Sequence, residues 1–288
     1  MDEKRHVRKS NIFAQGRYRL GLNEQRILLA IISKIAMSDT DFKDYRLDWS
    51  EIRKVTRKGV STQNQIQKVC EVLKNKTVYL KQGSVTHGFG FLSGWTLEEK
   101  KYVDFRIDPR FKDHLLDLLL EGHFMLCSLE SLVALPSSYS IRLYEILKSQ
   151  EFKKVFEVSL EQLRWSLGVP QGSLSDSRFD KFNDTILKPA QKAIAANTDI
   201  LFTYEKILQY RQVDSLRFTV SKNPDKKSIL KRPRKKSLRN NDQIVFEGVQ
   251  YEINHDHIQR DDGVIAIGDL NSLYRDGRIQ KLNKRSRS

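Results

Sequence analysis

Hydrophobic positions along the chain switch between a helical and an alternating period, and the order of the switches occurs twice. An apolar helix is predicted over 23–37 and another over 136–152. Each leads to a short strand that turns directly into a capped helix, YRLDWSEIR at 45–53 and FEVSLEQLR at 156–164. In both stretches the fourth residue is a good N-cap and its capping-box partner follows three positions later, Asp48 with Glu51 and Ser159 with Gln162. A turn, a polar-faced helix (62–75; 178–196) and two β-like runs come next. The runs are TVYLKQ from Thr77 and YVDFRI from Tyr102 in the first copy, DILFTYE from Asp199 and VDSLRFTV from Val213 in the second. Helix, short strand, helix, helix, strand, strand is the order of a winged helix-turn-helix. Two halves that share only ordinary capping chemistry would also give a nine-residue match; here the flanking elements agree too.

The pattern is sharpest in DSRFDKFNDTILKPAQKAIAA, 176–196. Phe179, Phe182, Ile186, Ala190 and Ala193 fall on one helical face. Arg178, Lys181, Thr185, Lys188 and Lys192 recur at the same spacing, centred about 140° away at roughly 100° per residue. One side is apolar enough to bury and the other is a cationic ridge. Pro189 lacks an amide proton, leaves the Thr185 carbonyl unpaired and predicts a kink. A solvated surface helix can carry the same pattern, so the rest of the chain decides between the two.

Composition favours the ridge as a working surface. The chain of 288 residues carries a formal charge of +15, which fits a polyanionic partner, nucleic acid or an anionic membrane. The longest apolar run, Ile27 to Ile32, is far too short to span a bilayer, so nucleic acid is the stronger reading. MDEKRHVRKSN has no apolar stretch behind it and does not read as a secretory signal. Cys70 and Cys127 lie among apolar neighbours without metal-ligand spacing and read as buried free thiols of a reducing cytosol.

In a helix-turn-helix the second helix enters the major groove. The second copy then has Ser159–Leu167 as supporting helix, 168–177 as a Gly, Pro and Ser-rich turn, and a reading helix from Arg178. Arg178 and Lys181 can donate to guanine, Asn183 can pair with adenine, and Asp184 can accept from cytosine; Thr185 shares their face. Lys188 and Lys192 lie farther along and suit phosphate. The loop 205–212, with Lys206, Tyr210 and Arg211, reads as the wing, or as an ordinary hairpin tip. The first copy offers Thr62, Gln63, Asn64, Gln67 and Lys68, with Arg57 and Lys58 in the turn before them. That face is polar rather than strongly basic and is expected at phosphate; base contact by it stays open.

Three stretches carry a family resemblance. KSNIFAQGRYRLGLNEQRILLAII resembles the opening of the Rep_3 family of plasmid replication initiators, with Asn11, Tyr18, Leu20 and Glu24 to Arg26 in place. SYSIRLYEILKSQ (138–150) is similar to the helix opening that family's second winged domain, and FNDTILKPAQKAIAANTDILFTYE to its reading helix and following strand. The resemblance runs over 8–222 and implies an α+β fold of two tandem winged helices. It further implies binding to directly repeated origin sites (iterons) on double-stranded DNA, origin opening, recruitment of the host initiator and replicative helicase, and a homodimer that represses its own gene. The hairpin from Trp95 to Phe105 would form that dimer surface. Members often have a dense basic cluster where this chain has Asn183, Asp184 and Thr185, which implies a different repeat sequence.

The expected organisation is an N-terminal winged domain over 1–133, a C-terminal one over 134–222, a basic linker over 223–241 and a small β-rich tail over 242–288. KKSILKRPRKKSLR (226–239) holds eight basic residues and no acidic one. QIVFEGVQYEI and GVIAIGDL alternate as strands, with DDG and RDG as turns. An enzymatic reading finds little support. HDH at 255–257 resembles the paired histidines of nicking enzymes, but Asp256 breaks the motif; there is no phosphate-binding GxxxxGK[ST] loop, and no ordered Tyr, Arg and His set. The expectation is a non-enzymatic, bacterial cytoplasmic DNA-binding protein without metal or cofactor and without membrane attachment. A winged transcriptional regulator is the second reading and a nicking enzyme the third.

Overall fold

The computed structural model describes residues 5–226 apart from 37, 117 and 119–123, and, farther on, 243–246, 249–253, 257–260, 263–266 and 279–281. The chain divides into two compact units, 1–231 and 232–288.

The first unit opens with strand β1 (His6–Ser10) and helix α1 (Asn11–Gln15), which the alternation of basic residues in that stretch does not predict. β1 pairs antiparallel with β7 (Phe124–Ser128). The apolar helix expected to reach Met37 is α2, Leu22–Ile32, and every residue from Gln25 to Ile32 is buried. β2 (Tyr45–Asp48) runs straight into α3 (Trp49–Val55), capped reciprocally by Asp48 and Glu51 as the sequence predicts. After a turn comes α4, Gln63–Asn75, with Thr62 as cap and Gln65 reaching back.

The strands after α4 are more numerous than expected. TVYLKQ is β3 (Thr77–Gln82), but it pairs with β4 (Val85–Gly90) as a separate ribbon. The domain's own sheet has the order β2, β6, β5, with β5 at Leu92–Glu98 and β6 at Tyr102–Ile107. The wing of the first domain is therefore the β5–β6 hairpin. Gly88, Gly90 and Gly94 break the alternation that would have betrayed β4 and β5. Gly90 has a packing reason: a Cβ there would lie 2.4 Å from the Lys74 carbonyl oxygen at the end of α4. Short helices α5 (Lys112–Leu115) and α6 (Leu129–Ala134) complete this half.

The second half follows the predicted order more closely. α7 (Ser138–Gln150) leads to β8 (Val155–Ser159) and α8 (Leu160–Leu167), whose N-cap Ser159 accepts from the Gln162 amide. Gly168 ends α8 in the left-handed conformation, φ 67°, the usual glycine stop. A Cβ there would also approach the Tyr18 carbonyl oxygen to 2.5 Å, so the turn presses against the N-terminal segment. The turn contains one further helical turn, α9 (Leu174–Ser177). The reading helix then runs as α10 (Phe179–Phe182), a π-helical turn at Asn183–Leu187 and α11 (Lys188–Asn197). β9 (Ile200–Gln209) and β10 (Gln212–Lys222) close a three-stranded sheet in the order β8, β10, β9. These strands extend through most of the expected 205–212 loop and leave a two-residue turn, so Lys206 sits on a strand.

Both halves of this unit share one hydrophobic cluster, from Val7 through Ile66 and Tyr144 to Val220. Cys70 and Cys127 are buried and free. Among the described residues no helix is long and apolar enough to cross a membrane, and no group of His, Cys, Asp and Glu could hold a metal ion.

In the second unit β11 (Gln243–Phe246) lies between β12 (Val249–Glu252) and β15 (Ile279–Lys281), and β13 (His257–Arg260) pairs with β14 (Gly263–Ala266). Ile244, Phe246, Ile253 and Ile258 form its small core. The two strands of QIVFEGVQYEI and the start of GVIAIGDL are thus present. Most of the basic linker, both turn signals, and His255 and Asp256 lie outside the described residues.

Candidate nucleic-acid interface

The reading helix is fixed by its apolar stripe. Phe182, Ile186, Ala190 and Ile194 are buried, and the Arg164 guanidinium of α8 lies 5.4 Å from the Phe182 ring centre. Gln191 donates to the Phe202 carbonyl of β9 at 2.7 Å, fastening the back half of the helix to the sheet. With one face committed to the core, Arg178, Lys181, Asp184, Thr185, Lys188 and Lys192 are left exposed, as the spacing predicts.

The kink has a definite form. Pro189 cannot donate to Thr185, and its ring crowds that carbonyl. The helix answers by widening: the Lys188 amide donates to the Asn183 carbonyl, five residues back, in the π-helical turn immediately before the proline.

Contacts on the ridge sort the candidates. Arg178 grips Asp180 through Nε at 3.0 Å and Nη2 at 2.6 Å, and Lys188 reaches Asp184 at 2.9 Å. The hydrogen bonds with Arg178 hold the Asp180 carboxyl below its ordinary range, and that with Asp184 raises the Lys188 ammonium. Two of the four cations are thus partly neutralised in place. Lys181 and Lys192 have no side-chain partner among the described residues. The Thr185 hydroxyl donates back to the Lys181 carbonyl at 2.7 Å and lies 3.1 Å from the Ser175 hydroxyl.

Asn183 is half-buried, and its Oδ1 accepts from the Tyr204 hydroxyl at 2.6 Å. Bidentate pairing with adenine uses the amide oxygen as well as the nitrogen, so Asn183 meets a base only while sharing or breaking this bond. Tyr204 is a member of the site that the helix pattern alone does not reveal; the signal is its period-2 spacing from Phe202, which puts both rings on the sheet face that meets the helix. Lys206, one step farther along the same face, holds its ammonium 5.0 Å from the Phe179 ring centre. The wing strand and the first turn of the reading helix are therefore joined side chain to side chain. Tyr210 and Arg211 form the exposed tip.

In the first domain Thr62 is committed to capping, its Oγ1 accepting from the Gln65 amide at 3.3 Å. Gln63 is half-buried; Asn64, Gln67 and Lys68 are exposed, and Gln67 bonds Glu71 at 3.3 Å. Arg57 and Lys58 are exposed in the turn before α4. This face is polar with few fixed charges.

A capped supporting helix, an amphipathic second helix and a hairpin, present twice and with a basic outer face on the second copy's helix, define a tandem winged-helix DNA-binding protein. Family models agree. The one described as "Initiator Replication protein, WH1" matches residues 6–148, and "Initiator Rep protein, WH2" matches 159–220. The chain belongs to this family of replication initiators. Among solved structures it is similar to the Pi initiator protein in complex with iteron DNA, at TM-score 0.63 and 16% identity, covering 76% of this chain and 98% of that one. Domains 2 and 3 of RctB match at TM-score 0.41 and 10% identity, over 69% of this chain and 80% of that one. No curated protein matches the chain.

Proposed function

We propose that this protein starts plasmid replication by binding directly repeated iteron sites on double-stranded DNA, with the second domain's helix reading base edges in the major groove. One observation carries the reading: the Arg178 to Lys192 ridge is exposed along a helix whose other face is locked into a winged fold. The Pi structure adds weight, because a chain of the same fold was solved on iteron DNA.

Within the ridge, Lys181 is the base reader with no competing carboxylate, and Arg178 and Asp184 join it by exchanging their present partners. Lys188 and Lys192 lie against phosphate, and Thr62, Gln63, Asn64 and Lys68 make the lesser contact of the first domain. The protein acts without catalysis, recruits the host initiator and replicative helicase, and works in the bacterial cytoplasm. As a homodimer it represses its own gene. β5 is the edge of its sheet, with a backbone row that a second copy can extend.

Lys181→Ala and Arg178→Ala are each expected to weaken binding to the origin repeat by about 1–3 kcal/mol and to relax discrimination against altered repeats. Lys192→Ala is expected to weaken repeat and random duplex alike. Fluorescence anisotropy with both duplexes reads this; equal losses on the two for Lys181→Ala and Arg178→Ala would remove both from base reading. A gene-plus-repeats cassette that fails to maintain a plasmid in a permissive host would favour the regulator instead. A nick or covalent adduct on supercoiled origin DNA with divalent metal would favour the enzyme.

A further inference from the structure

The π-helical turn at Asn183–Leu187 changes which side of the reading helix Asn183 occupies. Five residues of regular α-helix would set Asn183 and Lys188 about 140° apart around the axis, at roughly 100° per residue. Here the Lys188 amide closes on the Asn183 carbonyl, so the two residues stand one turn apart on the same side. Lys188 is one of the exposed cations of the ridge. The distortion next to Pro189 therefore carries Asn183 from the flank of the buried stripe toward the ridge.

Asn183 arrives there with one half of its amide committed. Its Oδ1 accepts from the Tyr204 hydroxyl of β9 at 2.6 Å, while its Nδ2 has no partner among the described residues and is accessible at the surface. The donor is held firmly. The Tyr204 ring packs with Phe202 and Phe218, ring centres 6.2 and 6.0 Å away, on a strand paired along its whole length with β10. Burial raises the phenol above its ordinary value of 10.0, so at neutral pH it carries a proton to donate. The Lys188 ammonium and the Asp184 carboxylate, paired with each other at 2.9 Å, both act on that hydroxyl, which places it beside the ridge.

An amide whose oxygen is held no longer reads both ways. Adenine presents its N7 acceptor next to an N6 donor, and asparagine matches the pair only with both ends free. A lone outward N–H would leave that adenine donor unpaired, which is costly in a desolvated groove. Guanine presents two acceptors side by side, O6 and N7, and leaves nothing unpaired against a donor. Sharing the amide in this way, oxygen to Tyr204 and nitrogen to the base, also keeps the existing bond whole.

We propose that Tyr204 is a positioning residue for base recognition: by holding the Asn183 oxygen it makes Asn183 a donor-only reader that selects guanine over adenine. The inference rests on the reading that this helix enters the major groove, and it adds the residue on the wing strand that sets the base preference there.

The full chain is titrated with the origin repeat, with the repeat changed one base pair at a time, and with a random duplex. Asn183→Ala identifies the contacted position, where discrimination between guanine and adenine should fall about three- to tenfold with the other positions unmoved. Tyr204→Phe keeps the packed ring and frees the amide. At that same position its preference should move from guanine toward adenine, while random-duplex affinity and its salt slope stay as in wild type. Tyr204→Phe combined with Asn183→Ala should behave as Asn183→Ala alone, because Tyr204 acts only through that amide. Asn183→Asp keeps an oxygen for Tyr204 and turns the outward donor into an acceptor, so it should favour cytosine at this position. A Tyr204→Phe variant that weakens every duplex equally, or that leaves the preference at this position unchanged, would make Tyr204 purely structural and overturn the inference. Asn183→Ala without an effect confined to one position would overturn it too. Wild-type protein that binds the repeat no better than random duplex would instead overturn the reading beneath it.

Discussion

Replacing Glu145 by alanine is expected to destabilise the first unit by about 3–5 kcal/mol, because it strands two buried cations. Glu145 lies on α7 and is wholly buried. Its Oε1 takes the Lys9 ammonium at 2.6 Å, and its Oε2 accepts from the Tyr18 hydroxyl at 3.0 Å and from Arg142. Arg142 also donates to the Tyr18 hydroxyl at 2.7 Å, to the Gly16 carbonyl at 2.6 Å and to the Ser166 carbonyl at 3.2 Å. One guanidinium thus ties the N-terminal segment to the end of the second domain's supporting helix. The thermal midpoint should fall on the order of 10 °C, at roughly 2–4 °C per kcal/mol for a unit of this size. Lys9→Met combined with Glu145→Gln should cost less than the sum of the single changes, the sign of direct coupling. A loss under about 1 kcal/mol would mean that water or rearrangement replaces the carboxylate.

The same network gives a pH dependence. Burial pushes the Glu145 carboxyl up, but Lys9 and Arg142 together outweigh it and hold the group below its ordinary value of 4.5. Folded protein therefore takes up this proton less readily than unfolded chain. The stabilisation is complete above the ordinary carboxylate range and fades as pH falls through the lowered folded value.

DNA binding should show a salt dependence of comparable size. Lys192, Lys206, Arg211, Arg57, Lys58 and Lys68 are exposed cations without an ion-pair partner among the described residues. If each meets one phosphate, log affinity falls against log salt with a slope of about −5, from roughly 0.9 per phosphate. Between about 50 and 200 mM salt the affinity then drops on the order of 10³-fold. The present pairing of Arg178 with Asp180 and of Lys188 with Asp184 keeps those two cations out of this sum. A loss of less than about tenfold over that range would mean that most of these side chains face solvent in the complex.

What the sequence revealed and what it hid follow from the range of each interaction. Caps act over three residues, so Asp48 with Glu51 and the Ser159 bond to the Gln162 amide were legible, whereas the Gln162 side chain, expected to complete a second capping box, donates to the Ser166 hydroxyl at 3.1 Å instead. The exposed ridge followed from helical period alone, and Pro189 announced a distortion whose π-helical form depends on how the backbone re-pairs. Long-range polar contacts left no such trace. The helix SYSIRLYEILKSQ reads as half polar, yet Arg142, Glu145 and Lys148 are buried because their partners Lys9 and Asp199 come from distant segments. The bond between Tyr204 and Asn183 is another case: each residue looks ordinary where it stands.

The central claim is that the ridge lies in the major groove of a repeat with Lys181 against base edges. Dimethyl sulfate methylates guanine N7 on the floor of that groove, so footprinting the repeats with wild-type protein and Lys181→Ala tests it most directly. Protected guanines within each repeat, with protection at specific positions lost in Lys181→Ala while the backbone footprint persists, is the predicted result. Guanine N7 that stays fully reactive beneath an intact backbone footprint would place the reading helix outside the groove and contradict the account.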